Sequence, residues 1–476
     1  MAPEAPPARP LPELLLGHLP EPPARVLLLA PDASLAAVLR DAGHEVTAEP
    51  PSALGPPGGP ESGPFDAAVV VPAAGAEPPG LLPALRRRLA EGGRLLIAAG
   101  ASGEAAWRRT RGLYESGFAV LAEEPVAGGA GDALLTVARA AGHRVRPYRE
   151  GDEAAILELF ARAFHQPRSL ERWRWEYAEN PHGNHRISLA VDRDDRLAAH
   201  YAGYPVRFWN EVGLGGCGPG PLECLHVGDT MTAPEARGVG RGATALLSRA
   251  VRHFYATWCD GRVAFNFGAN TGKIQRFSRR TAGARRLEPV PFRTRPLPGA
   301  RFAAPGPLGA RLGGWRVERV SGFDRRFDEL WQRCRGAYRL LVERDRRYLA
   351  WRYAAPDVEY FVWTVSRRRR LAGWSIFRQE GERLIWGDAL FDPREERAPA
   401  ALLSRVAAAP EHRAARRIEG WLTERPGWWG RRVAELGFVA EPEPEDLGLV
   451  YVPFEVDPGE AFAEHLYYTK GDVDLF

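Results

Sequence analysis

Arg237-Gly238-Val239-Gly240-Arg241-Gly242-Ala243 is the stretch on which the reading of this chain turns. A strand-like run, Leu222 to Thr232, precedes it, and Pro234 stops that run. After it, Ala243, Leu246, Leu247, Ala250, Val251 and Phe254 recur at helical spacing, so a helix is expected to open at Ala243. The order is strand, glycine-rich turn, helix. A helix N-terminus leaves backbone N–H groups unpaired and carries partial positive charge. Glycine lets that backbone come close to a ligand. Such a turn suits a pyrophosphate. The dinucleotide fingerprint is only partly met, because Ala243 stands where its third glycine belongs. A Walker A loop is excluded, since no Gly-Lys-Ser/Thr closes the turn.

The longer run Thr232-Ala233-Pro234-Glu235-Ala236-Arg237-Gly238-Val239-Gly240-Arg241-Gly242 resembles motif A of the GNAT family of acyl-CoA-dependent N-acyltransferases. The resemblance implies that the turn, Arg237, Gly238, Val239, Gly240, Arg241, Gly242 and Ala243, binds the pyrophosphate of coenzyme A. It implies that the strand end, Thr230, Met231 and Thr232, meets the pantetheine arm and the thioester. Asn270, ahead of the last helix, falls where the family often has an asparagine, and joins the expected cofactor contacts.

At 476 residues the chain has room for about three domains. No apolar run approaches the roughly 20 residues that span a bilayer, and Met1-Ala-Pro-Glu-Ala-Pro-Pro does not begin like a signal peptide. The four cysteines, Cys217, Cys224, Cys259 and Cys334, lack Cys-x-x-Cys spacing and read as free thiols of a reducing cytoplasm. The net charge is only +4, and lysine occurs just at Lys273 and Lys470. Arg86-Arg87-Arg88 and Arg367 to Arg370 therefore read as a solvated helix face and a hairpin turn, and no nucleic-acid partner is expected.

Before the motif, short apolar strands (Arg25 to Ala30, Phe65 to Val71, Gly92 to Ile97) alternate with helical segments, which implies an open α/β sheet. This order resembles a class I methyltransferase domain over residues 25–140, with Glu49 where that family places the acidic residue for the ribose. Ala30-Pro31-Asp32-Ala33-Ser34 replaces the expected glycine-rich turn, so a degenerate domain without catalysis is expected.

After Leu297 to Gly314, rich in proline and glycine, the plan repeats. Trp173-Arg174-Trp175 recurs as Trp351-Arg352-Tyr353, and Gly228-Asp229 ahead of Pro234 recurs as Gly387-Asp388 ahead of Pro393. Leu246-Leu247-Ser248-Arg249 recurs as Leu402-Leu403-Ser404-Arg405. From proline to the Leu-Leu pair is twelve positions in the first copy and nine in the second. The glycine turn is what is missing: the second copy reads Arg394-Glu395-Glu396-Arg397-Ala398-Pro399. Carboxylates there repel pyrophosphate.

The expected architecture is thus an α/β and α+β multidomain chain. A Rossmann-like, methyltransferase-type domain (1–142) precedes a GNAT acyltransferase domain (143–298), a linker (299–314), a second GNAT-like domain without the coenzyme A motif (315–455) and a tail (456–476). The expected activity is transfer of an acyl group, acetyl from acetyl-CoA first, to a primary amine of a small molecule or peptide. For proton removal the motif strand offers two carboxylates, Glu223 and Asp229. Glu223 lies near the strand start, roughly where several family members keep a catalytic glutamate, and strand alternation predicts its partial burial beside Leu225 and Val227. Asp229 recurs as Asp388 in the copy lacking the turn, which predicts a structural role. No histidine has a second ligand at metal spacing. The last helix lacks the tyrosine that the family often uses to protonate the thiolate, so Ser278 is a weak substitute. That gap leaves open malonyl-thioester decarboxylation, or acyl-CoA binding without turnover.

Overall fold

The computed structural model describes residues 8–30, 33–51, 64–72, 80–100, 103–127, 133–216, 218–270, 272–287, 290–302, 313–474 and 476. Pro31 and Asp32 of the expected degenerate turn, Cys217, and much of the 299–314 linker lie outside them. The chain is a mixed α/β protein with three sheets among the described residues. It divides into two compact units: 1–167 with 187–202 and 229–261, and 168–186 with 203–228 and 262–476. The sequence reading divides the chain consecutively, whereas these units are assembled from separated segments.

In the first unit, a sheet runs in the order Glu45–Ala48, Arg25–Leu29, Phe65–Val70, Leu89–Gly100, Ala133–Ala140, Phe118–Pro125. The first four strands are parallel and the last two pairings antiparallel. Strands covered on both faces read as continuous apolar runs, and Val26, Leu28, Val69 and Leu96 form their core with Leu15 and Leu39 of the covering helices. Arg144–Pro147 pairs with the strand that runs to Val191. Helix Leu246–Phe254 continues as one π-helical turn, Tyr255–Cys259. Helix Gly103–Glu115 packs on it. The buried His253 bridges them, with Nδ1 2.7 Å from the Ser188 hydroxyl and Nε2 3.4 Å from Glu115. Arg249 donates to the His143 carbonyl, and the Trp107 ring fills the place of a side chain at Gly261.

The second unit holds two strand arrays. One runs Arg285–Arg286, Gly448–Pro453, Phe265–Asn270, then the second-unit parts of Gly220–Thr232 and Leu197–Asn210, then Leu340–Val342 and Leu466–Tyr467. The other runs Trp315–Val320, Phe361–Arg367, Arg370–Glu380, Arg383–Phe391, Arg417–Trp421, Phe292–Pro296, Val439–Ala440. Two strands are exchanged. Phe292–Pro296 follows the first array's last helix, yet pairs with Arg417–Trp421 of the second array. Gly448–Pro453 follows the second array's last helix, yet pairs with Phe265–Asn270 of the first. Each exchanged strand is antiparallel to its neighbour and carries a two-residue strand on its far side.

Two helices of this unit meet reciprocally. Trp175 Nε1 donates to the Trp351 carbonyl at 2.6 Å, and Trp351 Nε1 donates to the Trp175 carbonyl at 2.7 Å, with the rings stacked. Both helices begin with a side-chain cap: Ser169 accepts from the Arg172 N–H and Asp345 from the Tyr348 N–H. The tryptophans that meet are thus Trp175 and Trp351, whereas the repeat expected from sequence sets Trp173 against Trp351.

Candidate active site

In the first unit, the motif strand ends at Thr230, Met231 and Thr232, of which Met231 is buried and both threonines are half-buried. The Ala233 N–H donates to the Ala198 carbonyl. One 3-10 turn, Pro234–Ala236, leads into the glycines. Gly240 and Gly242 have φ of 72° and 55°, the left-handed region that glycine tolerates best. A side chain at Gly240 would strike the Thr244 carbonyl. The expected helix start at Ala243 is corrected: Gly242–Thr244 is a 3-10 turn, Ala245 is extended, and the α-helix begins at Leu246. The two left-handed glycines delay it.

This geometry turns donors outward. The N–H groups of Gly238, Gly240, Gly242 and Ala243 have no hydrogen-bond partner among the described residues, whereas those of Val239 and Thr244 are used within the turn. Arg237, Gly238, Val239, Arg241 and Gly242 are exposed. The helix that follows has no side-chain cap, because Ala245 stands at that place. Unpaired donors beside two arginines are the chemistry that suits an anion.

The stretch that the sequence sets beside it, Arg394 to Pro399, lies in the second unit and differs. Arg394 N–H donates to the Asp392 carboxylate, Glu395 N–H to the Asp392 carbonyl and Ala398 N–H to the Glu395 carbonyl. Glu395 pairs with Arg367 and Glu396 with Arg432. Three of its N–H groups are used within the stretch, and its carboxylates are ion-paired.

The strand carboxylates separate. Asp229, in the first unit, is buried with φ 48°, and its carbonyl accepts from His200 Nδ1 at 2.7 Å. Its left-handed conformation interrupts the alternation assumed for this strand. Glu223, in the second unit, was expected to be partly buried. Its side chain is instead 50% exposed and accepts from Arg207 Nε at 2.7 Å. Alternation sets which face a residue takes, not whether that face is covered. Asn270 donates to the Ser278 hydroxyl at 3.0 Å.

Sequence reasoning missed a cluster on the opposite face of the strand in the second unit. His226 is buried, stacks on Tyr204, and has no hydrogen-bond partner at either ring nitrogen among the described residues. Burial, with Arg352 nearby, pushes its imidazole down to about 3, so it stays neutral. The Asp474 carboxylate of the tail lies 3.8 Å from its Nε2. At Gly228, a Cβ would lie 2.8 Å from Asp474 Oδ2 and 4.0 Å from the Tyr177 hydroxyl. The tail's aromatic and acidic residues signalled docking, but not the place.

Glu49 of the first domain is occupied. Arg88 holds both its oxygens, at 2.6 and 2.9 Å, and keeps its carboxyl below the usual carboxylate range. Among the described residues no cluster of three or more His, Cys, Asp or Glu is arranged for a metal, and no helix is long and apolar enough to cross a membrane.

Residues 144–277 match the family described as acetyltransferase (GNAT) domain. No curated protein matches the chain in sequence. Solved structures similar to it include a probable N-acyltransferase from Enterococcus faecalis, 14% identical at TM-score 0.48, covering 66% of this chain and 73% of that one. A GCN5-related N-acetyltransferase from Kribbella flavida is 17% identical at TM-score 0.45, covering 66% and 71%. An N-myristoyltransferase from Saccharomyces cerevisiae with bound myristoyl-CoA is 11% identical at TM-score 0.40, covering 66% and 83%.

Proposed function

We propose that this chain, whose residues 144–277 form a GNAT acetyltransferase domain, transfers an acyl group from coenzyme A to a primary amine of a small molecule or peptide, acetyl being the first choice. The observation that carries the reading is the row of unpartnered N–H groups at Gly238, Gly240, Gly242 and Ala243. These donors would hold the pyrophosphate, with Arg237 and Arg241 adding charge and Val239 flanking. The strand end, Thr230, Met231 and Thr232, would meet the pantetheine arm and the thioester. An acyl carbonyl held by backbone donors is polarised for attack.

The remaining segments serve this site. We read residues 315–455 as a second GNAT-like domain, supported by the matching strand orders and the reciprocal Trp175 and Trp351 bonds. Its closed turn argues against a second cofactor. We read residues 1–142 as a methyltransferase-like fold without S-adenosylmethionine. Glu49 bound by Arg88 supports that, and helix Gly103–Glu115 gives the domain a buttressing role against the cradle helix. The buried, unbridged Cys224, Cys259 and Cys334 fit a reducing cytoplasm.

Calorimetry tests the cofactor. One coenzyme A should bind per chain, and Gly240→Val should weaken it at least 100-fold in a protein of unchanged circular dichroism. Two equivalent sites, or unchanged affinity, would refute the reading. Mass spectrometry with acetyl-CoA and malonyl-CoA then separates an acylated amine from lost carbon dioxide or no product.

A further inference from the structure

We propose that a cavity of about 380 Å³ inside the first unit is a binding site for a small zwitterion of amino-acid size, and that helix Leu246–Phe254 responds when the cavity is filled. The assignment is independent of the acyl-transfer reading above and stands or falls without it.

Four segments of that unit line the cavity: helix Leu81–Arg88, the end of helix Gly103–Glu115, residues 141–144, and the turn after Val191. Its size falls within the roughly 300–1,000 Å³ of small-molecule pockets. Charge sets the ligand class. Arg86, Arg144 and Arg193 line it. Arg86 and Arg193 both pair with one carboxylate, Glu91, which lies outside the lining, so one positive charge between them is left over. Arg144 pairs with Asp195 at 2.6 Å, and Asp195 also faces Arg146 at 3.6 Å. Glu115 lines the cavity with the opposite sign. Its contacts are long, 3.8 Å to Arg111 Nε and 3.4 Å to Nε2 of His253, a histidine that burial holds neutral. Asp192 is committed elsewhere, since its Oδ1 accepts from the Asp194 and Arg196 N–H groups, both at 2.9 Å. The Ser116 hydroxyl and the His143 ring line the cavity too, with no hydrogen-bond partner among the described residues. Burial, with Arg249 nearby, pushes the His143 imidazole down, so it stays neutral and can accept.

A surplus guanidinium charge and a weakly held carboxylate in one cavity suit a ligand that carries both signs. Its carboxylate meets the arginines and its ammonium meets Glu115. Two lining residues are also tied to helix Leu246–Phe254. His253 of that helix contacts Glu115, and its Arg249 donates to the His143 carbonyl. Both side chains are buried, and His253 Nδ1 is held at 2.7 Å by the Ser188 hydroxyl. An ammonium drawn to Glu115 competes with His253 for the carboxylate, so the empty and filled cavities differ in what they offer the helix. The glycine turn leads into this helix. The ligand is therefore an effector of the turn and is bound unchanged.

The test is calorimetry on the whole chain with glycine, γ-aminobutyrate and glutamate, and with acetate and methylammonium as single-charge controls. At least one of the three amino acids should bind with a Kd of about 1 mM or tighter, and each control about tenfold more weakly or worse. Glu115→Gln and Arg193→Ala should each weaken that binding about tenfold, the size of one charge-assisted hydrogen bond. Their side chains are 38% and 69% exposed, so the fold tolerates both changes. Amide hydrogen exchange over residues 246–259 should change when the amino acid is bound. No binding of any of the three at about 10 mM, or affinity within about threefold of wild type in either folded variant, overturns the site. A control that binds as tightly as the amino acids overturns the zwitterion. Identical exchange over residues 246–259 with the ligand bound overturns the response of the helix.

Discussion

Asp229 and Glu223 share one strand but differ in circumstance. Asp229 is buried in a left-handed conformation with its carbonyl tied to His200, whereas Glu223 is exposed and ion-paired. Removing the charge from a residue that shapes backbone costs stability; doing so at an exposed pair costs about 0–1 kcal/mol. Asp229→Asn should therefore lower Tm clearly, while Glu223→Gln leaves Tm unchanged. The turn was legible from sequence because glycine spacing and a following amphipathic helix are local signals. The contact of Asp474 with Gly228 was not legible, since it joins places far apart along the chain.

The tail is held by a buried trio in which one guanidinium serves two carboxylates. Arg344 Nε donates to Asp388 at 3.0 Å and Nη2 to Asp472 at 2.7 Å. One negative charge is in surplus, and burial pushes the Asp472 carboxyl up to about 6 against the pull of Arg344. Between about 4, the unperturbed value, and about 6, the folded protein therefore holds a proton that the unfolded chain has lost. This group's contribution to stability is present at low pH and fades as pH rises through about 6. Asp472→Asn keeps the shape without the charge, so its Tm should gain on that of wild type as pH rises from about 4.5 to 7. A Tm difference that stays flat over that interval would remove the surplus charge from the explanation. The repeat of Asp229 as Asp388 predicted a structural role for Asp229; Asp388 has one in the trio. Which tryptophan meets Trp351 was not legible either: Trp173 and Trp175 are both buried, and only the reciprocal indole bonds pick out Trp175.

Over the whole chain, the order of strands and helices was readable, but their sheet membership was not. Gly448–Pro453 and Phe292–Pro296 carry the same apolar pattern whichever array they join, and periodicity reports a covered face, not which sheet covers it. Residues 1–298 expressed alone should consequently aggregate, because Phe265–Asn270 then ends as an open apolar edge. Adding residues 299–476 during refolding should restore a soluble, stoichiometric complex; a soluble, cooperatively melting 1–298 fragment would refute this. The exchange also bears on synthesis. When Asn270 leaves the ribosome, the strand that must flank it lies roughly 180 residues ahead. At typical elongation rates that is on the order of 10–40 s. This sheet thus waits, incomplete, while the strands of the other array are made, a vulnerable interval in which a chaperone or slowed translation would matter more than for a chain whose domains close one after another.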